Sequence, residues 1–596
     1  MPKFKKHRAI SDEKNVAKIE RKSKKNMLIG TILGYVAILI SIANGLILTP
    51  RVIAYVGEVD YGSYGIVTSL IALFLLDFGL STTTNIYLSK LRAEGDKEGV
   101  ERFLSSIFKI YLLLDIIFAL VIAILYFACP YMYASSIDSE HIGALQNMLL
   151  IFGGLALVNF PSTTFTGVIS TYEKFSINKL MDIIQKSLYL GFTIVAINMN
   201  WGIIGISIVN VSSIFLTIVF KFLYMRFYLN IRLNLAKRID RHELKSVLSF
   251  SMWSLILAIA ARLVFNITPS ILGIVSDAAA TARMTVVITI EGYIYSFGTL
   301  ISSFFLAKIA RSEANKSDEE KARFLQSLSS RIGKIQLTII GVIMTGFVCA
   351  GQEFIDIWMG PEFGIVYWCI VIICSYNVLY VPEIVFESAM LTEGHIKPLA
   401  INAAIKAIIN VSLSFPLSYF FTHNGISGAL GASIAIMAAR FAELVLNNIA
   451  YKRYLHISLT SYFKDTYLRG GLTILIALAV GLSAHFLLPY TVDYVPFLAD
   501  ERIRFLIIGF SVVIVFSICT LFITFPKEER SYFLASIARV LHIKRKNHPE
   551  DIAEEKEEQK LDEMIYAEEN GLEDSSLENN NAEDNVVESK NNDEQN

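Results

Sequence analysis

Apolar runs of 20 residues or more recur from one end of this chain to the other, and they restrict what it can become. A run of about 20 apolar residues matches the thickness of the hydrocarbon core of a bilayer. Backbone placed in lipid must satisfy its own hydrogen bonds, so segments of that length are read as helices. The windows fall at 27–50, 62–89, 104–128, 143–171, 177–199, 202–227, 247–275, 281–307, 330–350, 365–391, 397–421, 425–450, 467–489 and 503–526. The expected fold is all-α, a polytopic membrane protein with fourteen transmembrane helices. Composition agrees, because 54% of the 596 residues are hydrophobic and 18% are charged, against about 25% charged in ordinary soluble domains.

The charges supply an independent check on that count, since Lys and Arg accumulate in cytoplasmic loops. With the basic N-terminus (residues 1–26) inside, each inner loop carries basic residues, as in "RLNLAKRIDRHELK" at 232–245 and "YKRYLHISLTSYFKDTYLR" at 451–469. The outer loops, such as "INMNW" at 197–201 and "THNG" at 422–425, carry almost none. An even count places both termini in the cytoplasm. The N-terminal segment is too long and too charged to be a cleaved signal, and Met27 onward is expected to be a retained anchor. The net charge of -1 averages a basic start, an apolar middle and an acidic end, and gives no reason to expect a nucleic-acid partner. The acidic tail, from about residue 549 within the cytoplasmic segment 527–596, has the composition of a disordered chain.

The loops exclude several functions. None is long enough to fold as a domain, which argues against membrane glycosyltransferases, ligases and polymerases, and no enzyme is expected. No GxxxxGK[ST] stretch marks an ATP-driven pump. The five cysteines, Cys129, Cys349, Cys369, Cys374 and Cys519, lie in or beside apolar runs with no CxxC spacing, and read as packing residues with no metal or cofactor implied. Function must then lie within the bundle.

Ionisable residues inside a span are costly and mark functional sites by default. Depth along each span sorts them into two groups. A central group comprises Asp77, Asp115, Arg262 and Glu291, with Asp77 and Arg262 at matching depth. A second, nearer the cytoplasmic side, comprises Lys406, Arg440, Glu443, Glu383 and Glu387. Arg440 and Glu443, three apart, are expected to pair on one helix face, as are Asp182 and Lys186, four apart. Arg51, beside Pro50 at the outer end of the first span, either snorkels to the surface or lines a cavity mouth. Arg262, at mid-span, cannot easily reach either surface and is read as a cavity residue; cations in a central cavity suit an anionic cargo, because guanidinium forks bind phosphate in bidentate fashion. The carboxylates Asp77, Asp115, Glu291, Glu383, Glu387 and Glu443 are read as counterions or coupling sites.

Pro161, Pro269, Pro382 and Pro416 fall within or near span ends, where breaks allow helices to bend around a cavity. The inter-lobe loop at 228–246 separates spans one to six (27–227) from spans seven to twelve (247–450), leaving two extra helices at 467–526. "WGIIGISIVNVSSIF" at 201–215 is echoed by "NGISGALGASIAIMAAR" at 424–440, which supports two related six-helix lobes plus two C-terminal helices.

With "TPRVIAYVGEVDYGSYGIVTSL" at 49–70, "LLDFGLSTTTNIYLSKLRAEGD" at 75–96 and the two G-I-x-G starts, the chain resembles the polysaccharide or O-antigen flippases of the MATE-like multidrug/oligosaccharidyl-lipid/polysaccharide exporter superfamily. The resemblance extends over about residues 25–530. It implies a V-shaped pair of lobes that moves an undecaprenyl-pyrophosphate-linked oligosaccharide from the inner to the outer leaflet of the bacterial cytoplasmic membrane. The partners implied are the lipid-linked oligosaccharide, membrane lipids, and a polysaccharide polymerase with its chain-length machinery. In such a protein the pyrophosphate and any acidic sugars would meet basic residues of the cavity, here Arg51, Arg262, Lys406 and Arg440, and spans thirteen and fourteen would flank a groove for the polyprenyl tail. Coupling to H+ or Na+ is left open, as Asn266 and Ile267 stand near where relatives carry an Asp. The alternatives are a cation-coupled multidrug exporter, which would carry an acidic site in the first span, a peptidoglycan-precursor flippase, and a scaffold of a polysaccharide-synthesis complex.

Overall fold

Gly57 breaks the first helical stretch of the protein. In the computed structural model, α1 runs from Pro2–Phe74 with Gly57 at φ 85° and ψ 167°, outside helical geometry. Its apolar part, Ile32–Leu73, is 42 residues long, about 63 Å at 1.5 Å per residue, or roughly twice a hydrocarbon core. The first expected span and the start of the second are therefore two helices that meet at a glycine, and α1 names the pair.

The structure describes residues 2–74, 95–134, 136–172, 174–233, 255–264, 266–300, 318–491 and 500–525, with Leu88, Leu91, Trp253 and Arg530 singly; side chains are described from Ile29. Asp77, most of the inter-lobe loop and the acidic tail lie outside the described residues. Residues up to Thr524 form one compact unit, and Phe525–Asn596 form a second, of which only Phe525 and Arg530 are described.

After α1 come α2 (Lys97–Met132), α3 (Ser139–Thr171), α4 (Phe175–Asn198) and α5 (Gly202–Leu223). Then follow α6 (Leu255–Val264) and α7 (Thr268–Val275), bent by 44° from each other, and α8 (Ala278–Leu300) and α9 (Asp318–Met359). The chain continues through α10 (Gly364–Tyr380), α11 (Ile384–Thr392), α12 (Ile396–His423) and α13 (Gly428–Tyr454) to α14 (Leu459–Phe463), α15 (Arg469–Leu487) and α16 (Glu501–Cys519). Every expected span is helical wherever it is described, apart from end residues and the breaks noted below. Eleven helices among the described residues are long and apolar enough to cross a membrane, and twelve if α6 and α7 count as one span. The hinged α1 counts once in that total, and α8, with its threonines, tyrosines, Arg283 and Glu291, is not apolar enough to enter it.

Two of the four prolines break helices. At Pro269 the carbonyls freed between α6 and α7 find donors on other helices: Ser69 donates to the Asn266 carbonyl, and the Asn410 amide donates to that of Leu263 at 3.1 Å. At Pro382, a 3₁₀ turn joins α10 to α11, with the Tyr462 hydroxyl donating to the Pro382 carbonyl at 2.6 Å. This is how irregular backbone is tolerated at membrane depth. Pro161 and Pro416 stay within continuous helices; the hydroxyls of Ser162, Thr163 and Thr164 bond carbonyls around Pro161.

The two G-I-x-G starts have the same local form. Gly202 (φ 64°) and Gly425 (φ 73°) both take the left-handed conformation, which glycine adopts without steric penalty. A helix begins at or shortly after each.

Candidate functional site

The intramembrane charges regroup once neighbouring helices are in place. Arg440 on α13 pairs with Glu291 on α8, Nη2 to Oε1 3.0 Å, with both side chains 3% exposed. Its Nη1 donates to the Ile373 carbonyl at 3.3 Å, and the guanidinium lies 5.5 Å from the Tyr376 ring centroid. Glu443, one turn along α13, meets Lys406 of α12 at 2.7 Å, again largely buried. The expected Arg440–Glu443 pair is thus replaced by two pairs between helices. The i, i+3 spacing permitted the local pair, but each side chain finds a closer partner across an interface.

Glu387 and Glu383 stand beside these pairs and are held by neutral donors. The Tyr380 hydroxyl donates to Glu387 at 2.6 Å, and the Asn448 amide to Glu383 at 2.8 Å. Glu387 lies within electrostatic reach of both Glu443 and Lys406. Glu291, Glu443 and Glu387 therefore gather around two cations, and the first two are paired with cations of other helices.

The expected central group does not assemble among the described residues. Glu291 belongs to the Arg440 network. Asp115, on α2, is buried, and neither of its carboxylate oxygens has a hydrogen-bond partner there. Arg262 is half-buried at the end of α6, with no carboxylate against it among those residues, and Asp77 lies outside them. Arg51 is exposed on α1. Asp182 also departs from expectation: it meets Lys221 at 3.7 Å and Lys179 at 3.9 Å, while Lys186 donates to the Ala37 carbonyl at 3.2 Å. All five cysteines are free, and no cluster able to hold a metal is found among the described residues.

Sequence reasoning missed a second region. A cavity of about 320 Å³ lies between α1, α4, α5 and α8, lined by Tyr61, Tyr64, Tyr189 and Tyr293, four threonines and Asn44, with no charged side chain. The available signal was spacing: Thr285, Thr289 and Tyr293 recur every four residues, which places them on one face of α8. Glu291 falls about 200° from Thr289 on the same helix, at roughly 100° per residue, so α8 presents the ion pair and the cavity on opposite faces.

Glycines bring α1 and α8 together. A Cβ on Gly62 would lie 2.2 Å from the Ala278 carbonyl oxygen, one on Gly65 2.3 Å from Thr285, and one on Gly45 2.3 Å from the Tyr293 hydroxyl. Small residues of this kind allow membrane helices to approach closely. An apolar groove of about 410 Å³ runs between α9 and α16, lined by Phe347, Phe354, Phe505 and Phe510 among others.

No family model matches the chain, and no curated protein matches its sequence. Solved structures do match its fold. It is similar to "Lipid II flippase MurJ, inward closed conformation", with a TM-score of 0.64 and 15% identity, covering 83% of this chain and 98% of that one. It is also similar to an inward-facing multidrug resistance MATE family transporter of the MOP superfamily, with a TM-score of 0.55 and 13% identity, covering 73% of this chain and 99% of that one. An outward-facing structure with the same family description gives a TM-score of 0.50 at 14% identity, over 74% of this chain and 97% of that one. The chain is an all-helical, multi-span protein with the fold shared by these flippases and exporters.

Proposed function

We propose that this protein is a flippase that carries an undecaprenyl-pyrophosphate-linked oligosaccharide from the inner to the outer leaflet of the cytoplasmic membrane for cell-surface polysaccharide synthesis. The observation that carries the reading is a set of ionisable residues retained inside the apolar bundle, Arg262 and the Arg440 and Lys406 networks, on a fold shared with a lipid flippase. A scaffold has no reason to keep such costly groups in lipid. Arg262 and Arg51 are assigned to the pyrophosphate, being the cations of the set without a carboxylate partner among the described residues. Lys406 and Arg440 would reach cargo only by exchanging Glu443 and Glu291 for it. Asp77, Asp115, Glu383 and Glu387 are assigned to coupling, with H+ or Na+ as the ion. The groove between α9 and α16 is the right kind of surface for a polyprenyl tail.

The architecture proposed is fourteen spans in two six-helix lobes, 27–227 and 247–450, plus the helices within 467–526, with both termini cytoplasmic. The repeated left-handed glycine and helix at residues 202 and 425 support the repeat. A peptidoglycan precursor is the second reading, favoured by the lipid II flippase among the structural neighbours; it shares the anionic, lipid-linked chemistry.

Reconstitution decides between them. Proteoliposomes loaded with a fluorescent undecaprenyl-pyrophosphate oligosaccharide should show leaflet transfer by quencher accessibility, and Arg262→Ala should abolish it. Unchanged transfer in that variant would remove Arg262 from the site. Transfer of lipid II alone would establish the second reading, and ethidium efflux without lipid transfer would establish a multidrug exporter.

A further inference from the structure

The cavity between α1, α4, α5 and α8 has a chemistry unlike that of the charged network. Four of the eight hydroxyl protons around it are committed to backbone carbonyls. Thr68 donates to the Tyr64 carbonyl at 2.9 Å, Thr285 to Thr281 at 2.9 Å, Thr289 to Thr285 at 2.8 Å, and the Tyr293 hydroxyl to the Ser41 carbonyl at 2.8 Å. Each of these oxygens keeps acceptor capacity once its proton is spent. Asn44 sharpens the pattern: its amide donates to the Lys186 carbonyl at 2.8 Å, while its Oδ1 is buried without a hydrogen-bond partner among the described residues.

A wall rich in acceptors selects for donors. An anion would find no cation among the lining residues to balance its buried charge, which is costly. An organic cation would be attracted to the tyrosine faces, yet its buried charge would lack a carboxylate among the lining residues, which is unfavourable. A neutral polyol meets neither objection, because its hydroxyl protons pair with Thr285, Thr289 and Asn44. The stacked Tyr61 and Tyr64 rings, 6.1 Å between centroids, offer apolar surface to its C–H faces. The cavity volume of 320 Å³ lies at the small end of ligand pockets, about 300–1,000 Å³, and fits a sugar unit or two better than a long chain.

We propose that this cavity is a subsite for an uncharged pyranose of the transported glycan, separate from the cations that would hold the pyrophosphate. The proposal rests on the flippase reading for its cargo, though the binding chemistry stands on the cavity alone.

The test uses the full chain in lipid nanodiscs with glucose, galactose, N-acetylglucosamine and rhamnose as probes in saturation-transfer NMR, and with undecaprenyl pyrophosphate and tetraphenylphosphonium in separate titrations. Saturation is expected to reach the ring protons of at least one sugar. Thr289→Val should weaken that sugar about tenfold, as expected for one lost hydrogen bond of about 1.4 kcal/mol, while Thr289→Ser retains affinity and neither change alters undecaprenyl pyrophosphate binding. Transfer to none of the four sugars, equal affinity in Thr289→Val, or displacement of the sugar by tetraphenylphosphonium would each overturn the subsite. Failure of the flippase reading is distinguishable: sugar binding would persist with no binding of undecaprenyl pyrophosphate and no leaflet transfer.

Discussion

Two polar regions share α8 and solve burial in opposite ways. On one face Glu291 is locked to Arg440 in a pair that is almost fully buried. On the other, Thr285, Thr289 and Tyr293 line a cavity without a charged side chain. The first region spends its polar groups on one another and holds helices together. The second leaves oxygen acceptors facing open space. Rigid, self-satisfied charge suits a framework that holds or couples, and unspent hydrogen-bonding capacity suits a ligand.

The comparison is broken most forcefully by removing one partner of the buried pair. Arg440→Ala should cost about 3–5 kcal/mol, because Glu291 is left charged and unpaired. Replacing both partners with Met should restore most of that, since apolar residues of similar volume often match a buried pair. Thermal unfolding in detergent followed by size-exclusion checks both, and a double variant as unstable as the single would show that the pair does more than neutralise itself.

A smaller loss is expected where α8 meets α1. Gly62→Val should destabilise by about 1–3 kcal/mol, the usual penalty of overpacking, and should abolish leaflet transfer by forcing α8 away from α1. Retained transfer would show that the close contact is dispensable.

Asp115 offers the reverse sign. Its two oxygens are buried and unpartnered among the described residues, so Asp115→Leu should raise stability by about 1–3 kcal/mol, the penalty removed with an unsatisfied buried group. Transfer should fall in the same variant, as expected of a group kept for function at the expense of stability. A more stable protein with unaltered transfer would remove Asp115 from the coupling set.

The mildest change is Tyr293→Phe, which loses a hydrogen bond to the Ser41 carbonyl and should cost about 0.5–1.5 kcal/mol. If it instead destabilises as strongly as Arg440→Ala, the cavity is framework after all, and the contrast between the two faces of α8 fails.

Much of the fold was legible because lipid imposes a simple rule: an apolar run of sufficient length becomes a helix. The candidate site was less so. Reading Arg440 with Glu443 followed helix spacing correctly but had no access to Glu291, which is 149 positions away in the chain. Asp182 was matched to Lys186 for the same reason, whereas Lys221 from the next helix reaches it. The cavity escaped notice because Tyr and Thr are ordinary residues in a span and gain meaning only when four helices turn them toward one space.

The sequence by itself determined that the chain is a bundle of apolar helices and that ionisable groups lie within. Those properties depend on neighbours a few residues apart and on the balance between a side chain and lipid. Only the tertiary structure decided which charges pair, which proline breaks are capped by Ser69, Asn410 and Tyr462, and that one face of α8 carries a salt bridge and the other a neutral cavity. These depend on contacts between helices remote in sequence, and a buried polar group takes whichever partner packing brings within about 3 Å. The "VGEVDYGSYG" stretch shows both halves: its glycines are visible in the sequence, but their separate uses, a hinge at Gly57 and close contacts with α8 at Gly62 and Gly65, appear only in the folded chain.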